Sequence, residues 1–150
     1  MYVRLFCAFL LVALSVAGAE HKFEFSEMRQ STNLTGFRSA VTGKGKAGDW
    51  QVILDDVPPL LQPLNPSSAG TTKQAVLAQL AQDPTDEHFP LLIYEDEVYG
   101  DFTLTTRFKT VKGVMEQMAG IAFRIQNETN YYVVRASSLG STFKFYKVLQ

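Results

Sequence analysis

From Asp101 to Val148 apolar and polar residues alternate in three runs separated by turn-forming breaks. A period of two is what a strand with one buried face requires, whereas a helix would scatter the same residues around its circumference. In the first run Phe102, Leu104, Thr106 and Phe108 alternate with Thr103, Thr105, Arg107 and Lys109. The second, Ile121 to Gln126, sets Ile121, Phe123 and Ile125 against Ala122, Arg124 and Gln126. Asn127, Glu128, Thr129 and Asn130 supply loop chemistry before Tyr131 to Ala136, which predicts a hairpin. A further run after Tyr131 to Ala136 holds Phe143 and Phe145. The last three stretches are expected to be consecutive antiparallel strands.

Counting outward from that loop pairs Gln126 with Tyr131, Arg124 with Val133 and Ala122 with Arg135, and opposed residues share a face. Ile121, Phe123, Ile125, Tyr132, Val134 and Ala136 then form the apolar face. The last strand has a choice of register, because a slip of one residue exchanges its two faces. The register that buries Phe143 and Phe145 sets Lys144 and Tyr146 beside Arg135 and Tyr131. The polar face is thus Arg124, Gln126, Tyr131, Arg135, Lys144 and Tyr146. Guanidinium and amide groups donate directional hydrogen bonds, and tyrosine rings pack on the apolar faces of sugars, so this set suits a hydroxylated or anionic ligand. The same alternation equally describes the solvated side of an antiparallel sheet, with long basic stems covering apolar surface.

Earlier in the chain, Phe23 to Ala47 alternates weakly, and Gly43-Lys44-Gly45-Lys46 reads as a loop without the spacing of a phosphate-binding motif. Trp50 to Leu54 and Pro90 to Tyr94 read as strands. Between them Pro58-Pro59, Pro63 and Pro66 hold an extended connection up to Gly70. For Lys73 to Gln82, Ala, Leu and Gln favour a helix, while the apolar run Ala75 to Ala78 allows a buried strand.

Met1 to Ala19 has the form of a secretory leader: Arg4, then the apolar run Leu5 to Val16, then Ala17-Gly18-Ala19 as cleavage site. A chain beginning at Glu20 is expected, secreted or periplasmic, with residues 20–150 as one domain. The leader is too short for a comfortable span, and no other stretch has the ~20 apolar residues that crossing a bilayer requires. Cys7, the single cysteine among 150 residues, leaves with it, so no disulfide, thiol nucleophile or thiolate metal site is expected. Neither histidine, His21 nor His88, has ligand spacing, so no metal and no cofactor is expected. A net charge of −1 gives no footprint for nucleic acid or an anionic membrane. Asn33-Leu34-Thr35 and Asn127-Glu128-Thr129 match glycosylation acceptors.

Several strings carry a family likeness: Gly120-Ile121-Ala122-Phe123-Arg124-Ile125-Gln126, Asn130-Tyr131-Tyr132-Val133-Val134-Arg135-Ala136 and Phe143-Lys144-Phe145-Tyr146-Lys147-Val148. Upstream, Val76-Leu77-Ala78-Gln79, Asp83-Pro84-Thr85, Phe89-Pro90, Gly100-Asp101-Phe102, Arg107-Phe108-Lys109 and Lys112-Gly113 follow in the same order. From about Trp50 to Val148 the chain resembles the exported 3-keto-disaccharide hydrolase domain, also described as family-16-glycoside-hydrolase-like. The resemblance implies an all-β, concanavalin A-like jelly roll of two antiparallel sheets, with Val76 to Gln79 as a strand. It also implies carbohydrate chemistry in a bacterial envelope. Family members continue for several strands beyond the position of Gln150, so an incomplete sandwich is expected here. The E-x-D-x-x-E signature of true family-16 glycosidases is missing.

Two classes of function follow. The first is a saccharide-binding sandwich using the polar face. The second is a glycoside or 3-keto-disaccharide hydrolase, for which Glu95, Glu97, Asp101 and Glu116 are the carboxylate candidates, since glycosidases use two carboxyl groups about 5–10 Å apart. Glu95-Asp96-Glu97 also fits a solvated acidic turn. A third reading is an envelope module whose polar face contacts another protein. Sequence leaves the sugar and the oligomeric state open.

Overall fold

The computed structural model describes residues 20–28, 34–61, 64–65, 70–113 and 116–149. The leader, Asn33, Pro63, Pro66 and Gln150 lie outside the described residues. The chain is built of antiparallel strands in three sheets, with one short helix α1 (Phe25–Met28). Strands β1 (Phe37–Gly43) and β4 (His88–Tyr94) form one pair. β2 (Trp50–Val57) and β3 (Thr72–Gln79) form a second. β5 (Met118–Asn127), β6 (Asn130–Ser137) and β7 (Thr142–Leu149) form a meander in the order β5-β6-β7. Among the described residues no helix is long and apolar enough to cross a membrane.

The stretch with helix-favouring letters is β3, laddered to β2 over its whole length from Trp50↔Gln79 to Val57↔Thr72. Eight paired residues outweigh a few tenths of a kcal/mol per residue of local preference.

Both faces of the β1-β4 pair are occupied. On one, Phe37 and Tyr94 join His21 and Phe23 in an aromatic cluster with ring centroids 4.8–5.5 Å apart. The other carries Arg38, Ala40 and Thr42 opposite Ile93, Leu91 and Phe89. Ala40, Thr42 and Ile93 are buried there, and the only other side chain as deeply buried among the described residues is Tyr131 of β6. The Tyr131 hydroxyl donates to Thr42 Oγ1 at 2.9 Å, and Thr42 donates in turn to the Glu128 carbonyl. The deepest packing is therefore where β1 meets the turn end of the meander.

The meander differs from the sequence expectation in two ways. Asn127 pairs with Asn130, and Ala122 and Gly120, rather than Arg124 and Ala122, face Val133 and Arg135. The cause is a tighter loop. Asn127 Oδ1 accepts from the Thr129 amide at 2.9 Å and Thr129 Oγ1 at 3.0 Å, closing the turn on Glu128 and Thr129. Residues 124–126 are left as a bulge, with Arg124 in the left-handed region at φ 51°. Face membership survives on either side of the bulge because the shift there is even.

Secondly, Phe143 and Phe145 share a face with Ile121, Phe123, Tyr132 and Val134 as expected, yet they are 76% and 60% exposed. The expected burial is not found. On the opposite side β1 meets the meander at Tyr131, which can be buried there because its hydroxyl has a partner in Thr42.

Phe102 to Lys109, expected as a strand, has no ladder partner among the described residues, and all eight residues are exposed. Leu104, Thr105, Thr106 and Phe108 border an apolar cleft with Ala119, Ile121, Val134, Ala136 and Phe143. Arg107 and Lys109 reach back to β2, Arg107 donating to the Pro58 carbonyl at 3.1 Å and Lys109 pairing with Asp55.

Candidate functional site

Period-two geometry puts Arg135 of β6, Lys144 and Tyr146 of β7, and Gly120 and Met118 of β5 on one face, with Lys144 directly opposite Arg135 and Tyr146 opposite Val133. The Arg135 guanidinium carbon lies 4.6 Å from the centre of the Tyr146 ring, and Nη2 donates to the Tyr146 hydroxyl at 3.2 Å. Its other arm reaches Met118 Sδ. The arginine thereby has three contacts on the sheet, with the Tyr146 ring, the Tyr146 hydroxyl and Met118, before any ligand arrives. Hydrogen bonding from Arg135, aided by the charge of Lys144, holds the Tyr146 phenol below its usual range, although burial pushes the other way.

Gly120 makes room for this arrangement. A Cβ there would come within 2.2 Å of the Val134 carbonyl oxygen and 2.9 Å of Arg135 Cα. Beside these residues an open cleft of about 370 Å³ is lined by Arg135, Lys144, Glu116, Met118, Ser137 and Thr142 among others. It offers two cations, one carboxylate and two hydroxyls.

Of the six residues read as a polar face, three are brought together: Arg135, Lys144 and Tyr146. Tyr131 is withdrawn by its burial, at 5% exposure, beneath β1. Arg124 and Gln126 fall in the bulge, exposed and outside the lining of the cleft.

The carboxylates separate as sharply. Glu116 joins the cleft. Glu95 accepts from Arg38 Nε at 2.5 Å, and the same guanidinium reaches Glu128 at 2.6 Å through Nη1, so Glu95 belongs to an ion-pair bridge between β1 and the meander turn. Glu128 is held below the usual carboxylate range first by its own backbone amide and then by Arg38. Glu97 is 3.9 Å from His21 Nδ1, and its hydrogen bond is the main reason that the Tyr99 phenol is pushed up to about 12. Glu95 and Glu97 thus have different partners. Asp101 is exposed at the head of the extended segment and does not border the cleft.

Neither histidine stands isolated: His21 stacks on Phe23, and His88 Nε2 meets the Lys46 carbonyl at 2.5 Å. Among the described residues no group of three His, Cys, Asp or Glu side chains could hold a metal ion. Sequence reasoning missed Met118, Ser137 and Thr142, which the register places around Arg135, and it had no signal for Thr42 or Arg38, which act on residues about ninety positions away.

No family model, no curated protein and no solved structure matches this chain.

Proposed function

We propose that the chain is an exported saccharide-binding module with a concanavalin-like β-sandwich architecture. The observation that carries this reading is the Arg135 guanidinium laid on Tyr146, with Lys144 alongside, at the rim of an open polar cleft. A pre-positioned fork of donors loses little rotamer freedom on binding hydroxyl or carboxylate groups. Glu116, Ser137 and Thr142 complete a mixed donor and acceptor set suited to an acidic or polyhydroxylated sugar.

Hydrolysis is the second reading, and Glu116 is the residue that favours it. Binding is preferred because Glu116 is the one carboxylate in the described lining of the cleft, whereas glycosidases use two. Calorimetric titration against neutral and uronic-acid oligosaccharides tests the proposal. Arg135→Ala is expected to weaken binding about tenfold, while Arg124→Ala leaves it unchanged. Equal affinity in the Arg135 variant would sink the binding face. Glycoside turnover that is lost in Glu116→Gln would replace the binding reading with the hydrolytic one.

A further inference from the structure

The lysines of the described ladders stand opposite groups that suit a cation, with one exception. Lys73 of β3 opposes Asp56 of β2 and pairs with it at 2.8 Å. Lys147 of β7 opposes Tyr132 of β6, and its Nζ lies 5.7 Å from the centre of that ring. The exception is Lys144, which opposes Arg135. Like charges directly opposite each other destabilise a sheet.

The acidic side chains of the protein do not relieve this pair. Every Asp and Glu of the sequence lies among the described residues, and those that pair with Arg38, Lys44, Lys73 and Lys109 stand elsewhere in the fold. Among the described residues no carboxylate side chain is within ion-pair distance of Arg135 or Lys144. Arg135 is half-buried, so water and salt screen it less than they would a fully exposed cation. The excess charge is felt at Tyr146, whose phenol is held low first by the Arg135 hydrogen bond and then, against burial, by the charges of Arg135 and Lys144. Apart from the Tyr146 hydroxyl and Met118 Sδ, no acceptor among the described residues engages the Arg135 guanidinium, so most of its N–H donors are left for a ligand.

We infer that the ligand of the cleft is an acidic sugar bearing a single negative charge, held between the Arg135 guanidinium and the Lys144 ammonium. The inference rests on the saccharide reading and narrows it. An anion between two opposed cations turns a repulsive contact into two attractive ones, and a neutral sugar cannot do so. Glu116, in the same lining, accepts from ring hydroxyls and repels a second anionic group. One acidic group is therefore matched and two are not. A carboxylate and a sulfate ester both meet this description, and the test separates them.

Calorimetric titration of the unaltered chain uses an aldobiouronate, which joins one uronic acid to one neutral sugar, together with its methyl ester, a monosulfated disaccharide and its unsulfated parent. The aldobiouronate or the monosulfate is expected to bind at least about tenfold more tightly than its own neutral counterpart, and the tighter of the two names the acidic group. Its binding should weaken several-fold as sodium chloride rises from about 50 to about 500 mM. Equal affinity for charged and neutral partners, lost alike in Arg135→Ala, overturns the inference and leaves the saccharide reading standing. Acetate or inorganic sulfate binding as tightly as the acidic sugar overturns both, because the sugar then contributes nothing. Absence of binding to every ligand also overturns both.

Lys144→Glu separates charge from the shape of the cleft. It sets an ion pair where two cations stood, so the midpoint of thermal unfolding is expected to rise by about 2 °C while binding of the acidic sugar is lost. Retained binding in that variant overturns the inference. Should it fail to fold, Lys144→Gln replaces it and is expected to weaken the acidic sugar about fivefold more than its neutral counterpart. Equal weakening of the two would mean that Lys144 acts without its charge, which overturns the inference as well.

Discussion

The two faces of the meander present opposite relations between composition and burial. The side bearing Phe123, Tyr132, Phe143 and Phe145 is the more apolar, yet its phenylalanines at β7 stand in solvent. The side bearing Tyr131, Arg135, Lys144 and Tyr146 is the more polar, yet it holds the most buried residue of the sheet. What distinguishes them is the neighbour. β1 offers Thr42 to the tyrosine hydroxyl, and Arg38 clamps Glu95 and Glu128 across the same junction. Membership of a face follows from period two, whereas coverage of a face follows from which distant strand lies on it.

Paired substitutions break this comparison most directly. Tyr131→Ala is expected to lower the unfolding free energy by about 3 kcal/mol in urea titration, because it empties the packed junction. Phe145→Ala, measured at low protein concentration, should cost less than about 1 kcal/mol. Equal effects would mean that the two faces are equally covered.

Gly120→Ala comes next. Its Cβ must displace the Val134 carbonyl, so a loss of about 2 kcal/mol is expected, together with weaker saccharide binding as Arg135 is pushed from Tyr146.

The smallest effect concerns pH. Asp83 accepts from the Thr85 hydroxyl, from the Thr85 amide at 2.9 Å and from the Lys46 amide at 3.2 Å, and these bonds bring its pKa down to about 2 from 3.8. Its folded value is depressed, so its stabilisation is complete above the unfolded value and lost as pH falls from 3.8 towards 2. Asp83→Asn should flatten that part of the stability profile. A profile identical to that of the unaltered chain in this window would show that the loop bonds contribute nothing.

The sequence discloses β5, β6 and β7 readily because their pairing is local and their period regular. Lys144 beside Arg135 was legible for the same reason. The loop was not: Asn127 to Asn130 is equally compatible with a wider turn, and the Asn127 Oδ1 bonds that tighten it are visible only in three dimensions. Phe102 to Lys109 shows the limit of periodicity, since it alternates in sequence yet has no ladder partner among the described residues, and its basic side chains are anchored on Asp55 and the Pro58 carbonyl instead. Lys73 to Gln79 shows the reverse, a ladder formed against local preference. Tyr131 was misread because nothing near it announces Thr42, and Glu95 because nothing near it announces Arg38.

The bond from Tyr131 to Thr42 joins positions 89 residues apart, and its meaning is kinetic as well as static. Local hairpins close early at small entropic cost, whereas a contact spanning most of the chain waits for both of its strands to exist. The meander pairs locally, so the junction that buries Ala40, Thr42, Ile93 and Tyr131 is expected to close after it. Until then the chain is a set of open strand edges, so the interval between hairpin formation and docking is when it is most exposed to pairing with the wrong partner.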